Sequence, residues 1–117
     1  MLALTAAVRI FLYRHPADMR KGADGLSGIV HAQMNANALS GDLFVFSNRR
    51  RTMLKILYWD RDGYAVWMKR LERGRYRLPD GTGCEIDRAT LSMMLEGVVA
   101  LRRLKRYERE KSCKKRI

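Results

Sequence analysis

A chain of 117 residues with 47% apolar and 31% charged residues has material for one modest core, which excludes whole-chain disorder and a multidomain protein. Its 24 lysines and arginines against 12 acids leave a net charge of +12. Such a surface attracts phosphate polyanions, and by the same physics acidic membranes or acidic proteins, so the charge speaks of partners and not of fold.

Met1 to Val8 is mildly apolar but is interrupted by Arg9, and no later run approaches the length of a membrane span. A lysine-rich secretory start is absent. Cys84 and Cys113 form no CxxC pair and lie far from His15 and His31, so zinc spacing is missing and two free thiols in a reducing compartment are expected. These features predict a cytoplasmic protein, nucleoid-associated when bound to DNA.

Val8 to Tyr13 reads as a short strand closed by His15-Pro16, since the residue before proline resists the α region. Asp18 stands where a helix N-cap belongs, and Asp24 offers a second start. Leu26, Ile29, Val30 and Met34 then recur at helical spacing, until Asn35 to Gly41 breaks the pattern. Leu43 to Phe46 and Met53 to Trp59 read as strands, joined through Asn48 to Thr52. Asp60 to Gly63 is a hairpin signal, because Asp-Gly suits a turn that needs a positive φ. Tyr64 to Leu71 returns as a strand, and Arg75 to Leu78 can add another before Pro79. Asp87 is an expected N-cap for a second helix carrying Leu91, Met94, Leu95 and Val98. The predicted class is α+β, order β-α-β-β-β(-β)-α: a small antiparallel sheet of about four strands with two packed helices. The domain is expected over residues 1–101. Residues 102–117 form a basic tail, helical or disordered, with nine basic residues against two acids.

Three basic constellations stand out. Arg49, Arg50 and Arg51 crowd one loop, and guanidinium groups so placed grip phosphate oxygens or an acidic partner; the plain alternative is a solvated loop. Lys69, Arg70, Arg73, Arg75 and Arg77 are interleaved with Tyr76 and follow Trp67, a pattern in which cations hold a backbone and a ring can stack on a base. Alternatively both rings are core and the cations snorkel into water; core is favoured for Trp67, and contact for Arg73, Arg75 and Arg77. The third is the tail, led by Arg102, Arg103, Lys105 and Arg106. No acid is left over for catalysis: Asp60 and Asp62 suit a turn, and Asp18 and Asp87 suit caps. No nucleophilic set, metal cluster, cofactor motif or small-molecule site is suggested, and an enzyme is not expected.

The runs Asp18-Met19-Arg20-Lys21-Gly22, Leu39 to Arg51, Lys55 to Asp60, Asp62-Gly63 and Lys69 to Tyr76, closed by Leu91 to Leu95 with Gly97, carry a resemblance. In this order and spacing the chain resembles the accessory protein of the second reading frame of IS-sixty-six-type bacterial insertion sequences, over about residues 8 to 98. That protein is often called TnpB and is distinct from the longer RNA-guided nuclease of the same name. The resemblance implies a helper in DNA transposition, beside a separate transposase and another accessory protein, and it carries no catalytic residues. It places Arg20, Lys21, Arg49, Arg50, Lys55, Lys69 and Arg70 on the family's pattern. The basic tail departs from it. Two functions are open: a DNA-binding helper at the element ends, or a docking module for the transposase with Trp59 or Trp67 as its anchor. With the tail and Arg20, Lys21 and Lys55 included, the basic residues named above are the expected contact set for DNA or partner.

Overall fold

Leu43-Phe44-Val45-Phe46 is apolar at every position, which suits a strand covered on both faces. In the computed structural model, which describes residues 7–96, this run is the buried middle of the molecule. The elements in chain order are β1 (Ile10–Leu12), α1 (Ala23–Ala32), β2 (Leu43–Ser47), β3 (Met53–Asp60), β4 (Gly63–Arg70), β5 (Glu85–Ile86) and α2 (Arg88–Glu96). The sheet order is β4-β3-β2-β1-β5.

Alternation along the strands sends side chains to two cores. One face carries Leu12, Val45, Leu54 and Ile56 beneath α2, whose Leu91 and Met94 are buried, together with Tyr76. The other carries Phe44, Phe46 and Leu57 beneath α1, through Leu26 and Val30. Phe44 and Phe46 are fully enclosed, and each such burial contributes roughly 2–3 kcal/mol.

The α+β class and the helices on the sheet agree with the sequence. Three details differ. The sheet is mixed and not wholly antiparallel, because β1 runs parallel to β2, with Leu12 opposite Val45. Its fifth strand is Glu85–Ile86, paired with β1, and not Arg75 to Leu78. Gly74 takes φ +76° and Tyr76 donates its N–H to Arg51 O at 2.7 Å, so that segment crosses the end of the sheet and never joins the ladder. In the β3–β4 hairpin it is Arg61, φ +57°, that adopts the left-handed conformation, while Gly63 is the first β4 residue.

At the first helix Asp18 does not cap. It closes a turn, with Lys21 N–H donating to its carbonyl at 3.0 Å, and α1 begins after Gly22 without a side-chain cap. Asp87 does cap α2: Oδ1 accepts the Thr90 N–H at 2.7 Å, which holds the carboxyl below its ordinary range. Asp87→Ala is expected to cost about 1 kcal/mol in urea unfolding.

Among the described residues no helix is long and apolar enough to cross a membrane. Cys84 is free and exposed. The tail over residues 102–117, the boundary at 101 and Cys113 lie outside the described residues.

Candidate nucleic-acid interface

A parallel β1–β2 pair sends both chains out at the same end of the sheet, and β3 begins there while β4 finishes there. The loop after β1, the β2–β3 turn and the segment after β4 therefore meet at that end. Ala17 donates its N–H to Ser47 O at 2.8 Å, which sets the loop of Arg20 and Lys21 beside the last residue of β2. The β2–β3 turn follows at once. Asn48 builds it: its Oδ1 accepts the N–H groups of Thr52 and Met53, its Nδ2 donates to Thr52 Oγ1, and its carbonyl accepts the Arg51 N–H. Arg51 completes the turn at φ +61°. A turn folded by asparagine leaves its three guanidinium groups with no part in holding it.

The chain after β4 is stitched to this turn. Leu71 N–H donates to Thr52 O at 2.8 Å, and Tyr76 N–H donates to Arg51 O. Arg73 and Arg75 are exposed between those two bonds. Among the described residues no carboxylate pairs with Arg49, Arg50, Arg51, Arg73 or Arg75. Arg70 reaches Glu72 only at 3.8 Å, between two exposed side chains.

Other expected contact residues have work inside the molecule. Lys55 Nζ donates to Met19 O at 2.8 Å and Lys21 O at 3.0 Å, tying the β1–α1 loop to the sheet. Lys69 Nζ donates to Leu95 O at 3.2 Å, where a cation suits the carbonyl end of α2. Arg77 is half-buried and engaged within the protein. Arg102, Arg103, Lys105 and Arg106 lie outside the described residues.

Arg20 is extended from the Asp18 turn. Its Nη2 meets Asp18 Oδ2 at 2.9 Å, and Asp18 also accepts the Arg20 N–H. These bonds hold the Asp18 carboxyl at about 2, against an ordinary 3.8. Because the folded value is depressed, what this pair contributes is present above pH about 4 and is lost as pH falls toward 2. A carbon-detected NMR titration is expected to find the Asp18 midpoint near 2 and to find it returned toward 3.8 in Arg20→Gln.

The rings singled out from the sequence are placed away from this end or sealed, whereas half-buried Tyr13 and exposed His15 follow β1 at this end, edge-on to each other at 5.6 Å. Tyr76, a candidate for stacking, is 2% exposed, with its hydroxyl directed at Lys69 O. Burial pushes its phenol up to about 12. Trp67 packs against the same core, as favoured from the sequence. Trp59 stands edge-on to Tyr64 at 5.1 Å, toward the β3–β4 hairpin. Neither tryptophan is among the large exposed apolar side chains, which are Leu39, Val66, Met68 and Met93.

The opposite end of the sheet gathers Asp42, Asp60, Asp62, Glu85 and Asp87 against Arg9, Arg61 and Arg88. Arg9 Nη2 donates to Glu85 Oε1 at 2.7 Å across β1 and β5, lowering the Glu85 carboxyl's affinity for a proton. Charge is thus segregated along the strands, a polarity that linear sequence conceals. Among the described residues no three His, Cys, Asp or Glu side chains are grouped to hold a metal ion.

The family described as "IS66 Orf2 like protein" matches residues 8–106, which reaches past the expected boundary at 101. The uncharacterized protein y4hO of Sinorhizobium fredii is 36% identical over 100 residues, covering 84% of this chain and 87% of that protein. The uncharacterized protein y4jC of the same organism is 34% identical over 79 residues, 68% of each chain. No solved structure matches.

Proposed function

This chain belongs to the IS66 Orf2-like family of insertion-sequence proteins, and from that premise we propose that it is a non-catalytic accessory protein of transposition that grips duplex DNA with the basic end of its sheet. The observation that carries this reading is the stitching of the Arg49–Arg51 turn to the Arg73–Arg75 segment by two backbone hydrogen bonds. Guanidinium groups packed together repel one another unless an anion shares them, and a phosphate backbone supplies anions at regular spacing.

Duplex is preferred to single strand for a physical reason. Sites for single strands pair cations with rings on which bases stack. Here Tyr76 is enclosed, Trp59 sits toward the far end, and the rings after β1, Tyr13 and His15, are turned edge-on to each other. Clustered cations with few open ring faces beside them suit phosphates, which gives affinity without base readout.

A salt titration of the full chain on duplex and single-stranded DNA tests this. Five phosphate contacts from Arg49, Arg50, Arg51, Arg73 and Arg75 set a slope of log K on duplex against log salt of about −4.5, which contacts from the tail steepen. Absence of duplex binding at low salt, with binding to the transposase retained, would sink the DNA reading and favour a docking module.

A further inference from the structure

β4 is an edge strand, and over Tyr64 to Met68 nothing in its construction blunts the edge. Its eight residues pair one-to-one with β3, without a bulge, and contain no proline. Leu71 N–H bonds Thr52 O in the same register. Hydrogen-bonded pairs alternate in an antiparallel ladder, so Ala65, Trp67 and Lys69 turn their backbone groups to β3. Tyr64, Val66, Met68 and Arg70 turn theirs outward. Among the described residues no strand pairs with those outward N–H and C=O groups.

The same side of the strand carries unspent apolar surface. Tyr64, Val66 and Met68 lie on the α1 face, but α1 reaches only Tyr64; Val66 is 38% exposed and Met68 51%. The strand is also electrically polar. Asp60 and Asp62 precede it and Lys69 and Arg70 finish it.

We propose that β4 is a self-association surface, at which a second copy of this chain adds its own β4 antiparallel to the first. Only an antiparallel copy meets this polarity with its opposite; a parallel one sets acid against acid and base against base. With Val66 on the two-fold axis, Asp62 of each copy faces Arg70 of the other. Tyr64 faces Met68, and the two Val66 side chains meet, so the exposed apolar residues cover each other on one face of a continuous ten-stranded sheet. Cross-strand pairs of this kind, aromatic on thioether and β-branched on β-branched, stabilise a sheet. The surface lies along the side of β4 and meets the basic end at Arg70.

The test uses the full chain without nucleic acid, at about 0.2 M salt, where Debye screening is short. Analytical ultracentrifugation across three decades of concentration is expected to find a monomer–dimer equilibrium. Amide hydrogen exchange is expected to slow with concentration at Tyr64, Val66 and Met68, while Ala65 and Trp67 stay protected throughout. Val66→Lys sets two lysines face to face on the axis and is expected to weaken association at least about tenfold. Its thermal unfolding compared with the parent at low concentration establishes that the monomer still folds. A monomer at all concentrations would overturn the proposal. So would a dimer whose outward amides still exchange freely, or amides protected equally at every dilution, which would mean that the chain covers its own edge.

Discussion

Replacing Arg49, Arg50 and Arg51 together by glutamine is expected to lower duplex affinity a few hundredfold at about 0.1 M salt and to flatten the log K against log salt slope by about 2.7. Each cation that meets a phosphate releases condensed counterions, and each one lost removes about 0.9 from the slope on duplex DNA. The substitution reads binding and not folding, because the turn is built by the Asn48 side chain and by backbone bonds that glutamine preserves. Arg61→Gln is the matched control. Its side chain is 93% exposed, in the hairpin at the acidic end. If one charge lost there flattens the slope as much as each charge lost from the turn, binding follows net charge alone and the basic end is no site. Neutralising Arg102, Arg103, Lys105 and Arg106 in the full chain measures the tail's share separately.

Tyr76→Ala is expected to cost about 3–5 kcal/mol in urea unfolding, a large part of a small domain's stability. The ring is enclosed under the sheet with Leu54 and Ile56, and its own N–H holds the crossing segment to Arg51. A cavity here loosens the stitch that keeps Arg73 and Arg75 beside the turn, so the slope should flatten along with the stability. Tyr76→Phe separates the two roles. It keeps the packing, loses only the long 3.4 Å contact to Lys69 O, and is expected to cost under about 1 kcal/mol with DNA binding unchanged. Loss of binding in that variant would make the Tyr76 hydroxyl a contact. The pH dependence has a definite sign. Burial raises the folded phenol to about 12 from 10.0, so the stability it represents is whole below pH 10 and drains away between about 10 and 12. Tyr76→Phe should remove that alkaline loss.

The β2–β3–β4 meander was legible because its signals are local. Alternation over Met53 to Leu71 fixes both faces, and Asp60 to Gly63 fixes the register between them. β5 was illegible for the opposite reason. Two residues have no periodicity, and Glu85–Ile86 is a strand only because β1 needs a neighbour. Arg75 to Leu78 had the better strand composition but lost to the left-handed Gly74 and to the bond Tyr76 makes with Arg51. At the site, the clusters Arg49–Arg51 and Lys69–Arg77 could be named from the sequence. The meander itself brings those two together; that the Arg20–Lys21 loop joins them depends on β1 running parallel to β2, which composition does not encode. The internal engagement of Lys55 left no signal at all, since a lysine that bonds two carbonyls reads in sequence like any other cation on a strand.

The Arg9–Glu85 bridge joins residues 76 positions apart, and β5 rests on β1 beside it. A two-residue hairpin can close within microseconds, whereas this seam must first gather almost the whole domain into one loop, whose entropic cost grows with its length. Refolding is therefore expected to run from the β4 side of the sheet toward β5, with β5 amides the last to gain protection in pulsed hydrogen exchange. The order of assembly is the reverse of the order of vulnerability: the seam that closes last has the fewest partners, and on heating or in denaturant it is the first to part, uncovering the side of β1 while the β2–β3–β4 meander still stands.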